Sequence, residues 1–277
     1  MKFTVLGGAG FIGRHLVQAL RLAGHDVFSP LRDDVTVFEQ NLGHVLYCIG
    51  LTADFRTRPF DTMQAHVSIL AEVLQRASFE SLVYLSSTRV YGRSATGAED
   101  APLTVQVSDP QDLYNISKLA GESLCMSCGR AGVKIARLSN VIGEDAGSGN
   151  FLSSLIGAAL DGHIALQSDP ASAKDYVLLD DVVGLLPRIA LAGKASIYNV
   201  ASGINITHSA IIERLITQTG CSVSFVQDAP LTLFPMIDNG RIAAEFDFCA
   251  APLLDQLPRL IDQFRHKLAP SFQDKQP

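Results

Sequence analysis

The chain of 277 residues is poor in several features that would fix a chemistry or a location. Its five cysteines, Cys48, Cys125, Cys128, Cys221 and Cys249, are odd in number and follow no framework spacing, which argues against a disulfide scaffold. Cys125 and Cys128 form a CxxC with no second pair, and read as thiols on successive turns of one helix. The seven histidines lack ligand spacing, so no metal is expected. No apolar run is long enough to span a membrane. The opening "MKFTVLGGAGFIG" is too broken by glycine to be the apolar core of a signal peptide. Basic residues are outnumbered, 22 against 28 acidic, and the net charge of −6 weighs against general affinity for nucleic acid or an anionic membrane. Internal repeats and low-complexity tracts are missing as well. A cytoplasmic protein with reduced thiols is expected, with one large domain or two.

What the sequence does contain begins at its N-terminus. Phe3 to Leu6 reads as a short apolar strand, "GGAGFIG" follows, and apolar residues at 12, 16, 19, 20 and 23 give Phe11 to Ala23 a helical pattern. Strand, glycine turn and helix form the phosphate-binding start of a Rossmann unit. Gly7 and Gly10 let the backbone approach a pyrophosphate, and Gly13 lets the helix pack close to the strand. The pyrophosphate would rest on free N–H groups of Phe11, Ile12 and Gly13 at the helix start.

Further strands are expected at Val45 to Ile49, Leu82 to Leu85 and Lys134 to Leu138, with helices at Phe60 to Ala77 and from about Tyr114. Such alternation predicts an α/β fold, a Rossmann-type doubly wound parallel sheet with helices on both faces. Residues 93 to 111 read as a long loop. After about residue 140 the pattern turns irregular, which suggests a small C-terminal substrate-binding lobe. The expected division gives residues 1–165, with a later contribution from about 176–200, to dinucleotide binding. Residues 141–175 and 201–277 would form the substrate lobe.

"DLYNISKLAGE", residues 112 to 122, sets Tyr114 and Lys118 one turn apart on the same side of a helix. Upstream, "YLSSTRVYG" ends a strand in hydroxyl residues, and ligands of doubly wound sheets bind at carboxyl strand ends. Ser87 is therefore placed at the mouth of the same cleft.

Together with the glycine loop, these residues resemble the extended short-chain dehydrogenase/reductases, the NAD-dependent epimerase/dehydratase family of sugar-nucleotide enzymes. The matching motifs are GxxGxxG at 7, 10 and 13, SSxxVYG at 86 to 92, and YxxxK at 114 and 118. "RLSNVIG" at 137 to 143, "KDYVLLDDV" at 174 to 182 and "YNVASGINIT" at 198 to 207 follow in the family's order, with lysine in place of a usual arginine.

The resemblance implies that Tyr114 moves a proton between itself and a sugar hydroxyl while hydride passes to or from a nicotinamide. A free tyrosine titrates near pH 10, and the Lys118 ammonium is expected to favour the phenolate. Lys118 would also hold the nicotinamide ribose, and Ser87 would orient the reacting oxygen. Candidate substrate contacts are Thr88, Asn140, Lys174 and Arg241, the last three toward a nucleotide diphosphate. His66 falls where the family often has asparagine, and is read as structural.

Two departures carry information. The family's second strand usually ends in an acid for the adenosine ribose, whereas here Leu31 stands about there with Arg32 next. A guanidinium suits a 2′-phosphate, so NADP is favoured over NAD. Twelve residues separate Arg32 from Val45, so a helix and a strand common in the family are expected to be trimmed. The 4,6-dehydratases carry an Asp-Glu pair where this chain has Thr88 and Arg89, which disfavours dehydration. The implied function is a sugar-nucleotide epimerase working through a keto intermediate. The alternative is an NADPH-dependent reductase of a nucleotide-linked keto sugar or related carbonyl. Of another class is a non-catalytic NAD(P)-binding sensor or scaffold, disfavoured because Ser87, Tyr114 and Lys118 are all present. By the same resemblance the protein would be a homodimer.

Overall fold

A computed structural model describes residues 1–143 and 150–268. Residues 144–149 and 269–277, which fall within the expected substrate lobe, lie outside the described residues.

Short apolar runs form a six-stranded sheet, every neighbouring pair of which is parallel. Its strands are β1 (Lys2–Leu6), β2 (Asp26–Phe28), β3 (His44–Tyr47), β4 (Ser81–Ser87), β5 (Val133–Leu138) and, much later, β9 (Ile197–Val200). The middle of β4, Leu82 to Leu85, is buried on both faces, as a central parallel strand must be. The spatial order is β2-β1-β3-β4-β5-β9. The chain thus steps outward from β1 to β2, then returns to the other side of β1 at β3. This reversal is a topological switch point, and it opens a crevice beyond the carboxyl ends of β1 and β3. β2 is the edge strand, and no strand lies beyond it among the described residues, which agrees with the trimming expected after Arg32.

Helices cover both faces. Against one pack α1 (Phe11–Leu22), α6 (Leu179–Ala192) and α8 (Gly240–Phe246), whose Leu16, Leu20, Val182, Leu186, Ile189, Ile242 and Phe246 join Phe3, Val5, Leu46 and Val83 in one core. The other face carries α2 (Pro59–Met63), a π-helical turn Gln64–Ser68, α3 (Ile69–Arg76) and α4 (Leu113–Ser127). Sequence periodicity predicts one helix over most of this first stretch. The rod is indeed nearly continuous, but a single wide turn interrupts it, a feature found often at functional sites. α4 crosses that turn closely. A Cβ on Gly121 would stand 2.4 Å from the Tyr84 hydroxyl and 2.8 Å from the His66 carbonyl, so a glycine is required inside this helix.

The remaining elements build a smaller lobe with its own core. β6 (Asn140–Ile142), β8 (Ala173–Leu178) and β10 (Asn205–Thr207) form a three-stranded sheet, and β7 (His163–Leu166) pairs with β11 (Ser222–Phe225). Around them lie α5 (Phe151–Leu160), α7 (His208–Thr219) and α9 (Leu253–Leu268). Ile156, Ile164, Tyr176, Leu215, Leu257 and Phe264 meet in that core. Among the described residues no helix is long and apolar enough to cross a membrane.

Candidate active site

A cleft of about 840 Å³ runs between the sheet's carboxyl edge and the smaller lobe. At one end lies the glycine turn. Gly7 has φ +84°, and a Cβ on Gly13 would stand 2.2 Å from the Gly7 carbonyl oxygen, so the first turn of α1 fits only without side chains there. Gly10 caps α1 without a side-chain hydrogen bond, and Gly10, Phe11, Ile12 and Gly13 line the cleft. The free amides at this helix start make the cradle that a dinucleotide pyrophosphate fits. Gly7 shapes the turn from outside the lining residues.

Farther along, β4 ends at Ser87 and a 3-10 turn, Thr88–Tyr91, begins at once. Ser87 Oγ accepts the Arg89 amide N–H at 3.2 Å, which fixes the hydroxyl at the strand end. Across from it α4 brings Tyr114 and Lys118, both almost wholly buried. Burial raises the pKa of Tyr114, while hydrogen bonds with Ser87 and Thr52 and the charge of Arg89 pull it down. Lys118 Nζ donates to the Leu85 carbonyl at 2.8 Å and lies 5.9 Å from the Tyr114 ring centre. Burial lowers the Lys118 ammonium to about 7, against the opposing pull of Glu122 and Cys48. Arg89 is a second cation beside the phenol, its guanidinium carbon 5.2 Å from the Tyr114 ring centre.

Behind the tyrosine, the π turn places His66 with its ring 5.4 Å from that of Tyr114 and perpendicular to it. His66 Nε2 accepts the Leu51 amide N–H at 3.1 Å, so Nδ1 carries the proton and donates to Ser117 Oγ at 2.8 Å. Ser117 in turn donates to the Tyr114 carbonyl. Burial, with Lys118 nearby, pushes the imidazole down to about 3.

The far wall comes from the smaller lobe. Lys174 lies over Phe151, its Nζ 5.6 Å from the ring centre, and its pKa is lowered by burial and by the charge of Arg89. Asn140 lines the cleft and donates one amide hydrogen to the Asp175 carbonyl at 2.7 Å. Asp175 supplies the single carboxylate among the lining residues, and it is spent on the Ser202, Gly203 and Ile204 amides and the Ser202 hydroxyl.

Ser87, Thr88, Tyr114, Lys118, Asn140 and Lys174 thus share one cleft with the glycine loop. Arg241 does not join them. Its guanidinium donates to the Ile197 carbonyl and pairs with Asp100 and, at 3.9 Å, Glu99, so the expectation that it reaches a substrate phosphate is corrected. Arg32 is exposed on the loop after β2, outside the cleft lining, with no hydrogen bond or ion pair among the described residues. Sequence reasoning missed Thr52, Phe55, Arg56, Gln111 and Phe234. Thr52 was findable, since it follows β3 at the switch point where ligands bind. Phe55, Arg56 and Phe234 lie on loops without a pattern, and Gln111 sits in a single 3-10 turn, Pro110–Asp112.

A model of the NAD dependent epimerase/dehydratase family matches residues 3–201. The GDP-6-deoxy-D-mannose reductase of Pseudomonas aeruginosa is 29% identical over 257 residues, covering 82% of this chain and 83% of that protein. The UDP-glucose 4-epimerase of Lactobacillus helveticus is 23% identical over 281 residues, with coverage of 81% and 84%. The solved structure of MoeE5 in complex with UDP-glucose and NAD superposes with a TM-score of 0.82 at 23% identity, over 97% of this chain and 100% of the other. The fold and cleft define an enzyme of the extended short-chain dehydrogenase/reductase type. The chain belongs to the NAD dependent epimerase/dehydratase family.

Proposed function

We propose that the chain oxidises and reduces one hydroxyl-bearing carbon of a nucleotide-linked sugar with a nicotinamide cofactor. The observation that carries this reading is the convergence, in one cleft, of the Tyr114 phenol, the Ser87 and Thr52 hydroxyls and the bare helix start of α1. Bound there, the nicotinamide supplies the hydride acceptor or donor and, when oxidised, a positive charge. Phe11, Ile12 and Gly13 would hold its pyrophosphate by their amides, and Lys118 its ribose. Arg32 would contact a 2′-phosphate, which favours NADP over NAD. On the substrate side Ser87 orients the reacting oxygen while Tyr114 takes its proton in oxidation and returns one in reduction. Thr88 borders the sugar. Lys174 and the second amide hydrogen of Asn140 face the diphosphate. Thr88 and Arg89 offer no carboxyl group for eliminating water.

The finer reading is an epimerase: the carbon is oxidised to a ketone, then reduced from its other face, and the cofactor is regenerated. One-way reduction by NADPH is the second reading, favoured by the 29% identity to a reductase and by Arg32. Product analysis by NMR on a panel of nucleotide sugars, with cofactor limiting, separates the two. An epimerase converts many equivalents per cofactor without net change at 340 nm. A reductase stops when NADPH is spent.

A further inference from the structure

Positive charge gathers in the cleft of a protein whose net charge is −6. Besides Lys118, the cleft is lined by Arg56, Arg89 and Lys174, and none of these three pairs with a carboxylate among the described residues. Its one acid, Asp175, is spent on backbone amides. Arg56 bonds to the neutral Gln111 side chain.

Arg89 is the cation nearest the chemistry. Its guanidinium carbon lies 5.2 Å from the Tyr114 ring centre and 4.8 Å from that of Phe55, so two aromatic rings hold the group in place. Of its five N–H donors, the one side-chain hydrogen bond among the described residues is a long one, 3.4 Å, to the Gln111 carbonyl. Asp109 and Asp112 are within electrostatic range, yet both carboxylates pair with Arg93. Asp112 also accepts from the Gln106 amide and Asn115, and Asp109 from the Gln111 amide. A partly desolvated guanidinium with unspent donors calls for an anion brought by the ligand. A diphosphate supplies charge for Lys174 on the opposite wall, but the group at Arg89 must lie next to the carbon that Tyr114 serves.

Resting on the sugar-nucleotide reading above, we propose that the substrate sugar is a hexuronate, carrying a carboxylate on the carbon beside the reacting one, and that Arg89 binds this carboxylate. The planar fork of the guanidinium matches both oxygens at once, which a lysine ammonium does not. Arg89 thereby excludes neutral hexoses, in the position where dehydratases of this family hold an acid.

The test is calorimetric titration of the protein saturated with its preferred oxidised cofactor. Two matched pairs serve as probes: UDP-glucuronate with UDP-glucose, and GDP-mannuronate with GDP-mannose. The expected result is that in one pair the uronate binds about ten- to a hundredfold more tightly, the range of a charge-assisted contact. Arg89→Gln then closes the gap by weakening the uronate alone, and Arg89→Lys restores part of it, with cofactor affinity unchanged in both. Equal binding of uronate and neutral sugar in both pairs overturns the proposal. So does Arg89→Gln weakening both members alike, since Arg89 would then contact the diphosphate; the sugar-nucleotide reading survives either result. Failure of all four sugar nucleotides to bind overturns both.

Discussion

Lys118 donates its ammonium to the Leu85 carbonyl at 2.8 Å while its Nζ lies 5.9 Å from the ring centre of its helical neighbour Tyr114. The hydroxyls of Ser87 and Thr52 and the charge of Arg89 favour the phenolate, all working against burial. Oxidation needs the phenolate, so the rate climbs with pH as Tyr114 ionises. Thr52→Val removes one hydrogen bond from the charged form and should move the ascending limb of kcat to higher pH by about one unit. An unchanged profile would show that Thr52 does not touch the phenol in the working enzyme.

Tyr114→Phe keeps the ring packed against Phe55 and His66, both with centres within 6 Å, and removes the proton-transfer group. Turnover should fall at least 10²- to 10⁴-fold, the range of general acid–base catalysis, while cofactor affinity measured by fluorescence titration stays near native. Near-native turnover in this variant would remove Tyr114 from the chemistry.

Much of this site could be read from the sequence because its parts are local. Gly7, Gly10 and Gly13 fall in one turn, Tyr114 and Lys118 on one helix, and Ser87 at a strand end, so spacing alone places each. The parallel order of the sheet followed for the same reason, since strands and helices alternate and such connections have few solutions. Arg241 shows where this stops. Its partners, Asp100 and the Ile197 carbonyl, are distant in sequence, and nothing local distinguishes an arginine spent on a loop from one facing a ligand. The π turn was hidden too, because Gln64 to Ser68 keeps an ordinary helical composition.

His66 sets an acid limit on stability. Its folded pKa is lowered from 6.5 to about 3, so below pH 6.5 the unfolded chain takes up a proton that the folded state refuses. Stability from this source is complete above pH 6.5 and is lost as pH falls toward 3. Between pH 7 and pH 5 the loss is about 2 kcal/mol, from roughly 1.4 kcal/mol per pH unit below 6.5. Urea unfolding of native protein and His66→Asn at both pH values should show the native protein losing about that much more than the variant. Parallel losses would mean that the imidazole gains a proton within the fold.

The last prediction concerns the loop after β2. Leu31 and Arg32 stand where the family places an acid for the adenosine ribose, and Arg32 is exposed with its guanidinium uncommitted among the described residues. An acid there would repel a 2′-phosphate, whereas a guanidinium with free donors can meet its oxygens in pairs. NADP should therefore bind more tightly than NAD. Arg32→Ala should erase most of the difference by weakening NADP alone, since the ribose hydroxyl of NAD has no charge for Arg32 to meet. A charge-assisted contact of about 1.5 to 3 kcal/mol sets the expected change at roughly ten- to a hundredfold. Because the contact is exposed, the gap should narrow as salt is raised, the Debye length falling from about 10 Å at 0.1 M to 3 Å at 1 M. Calorimetry in both salts reads all of this directly, and a native protein that prefers NAD would refute the assignment of Arg32.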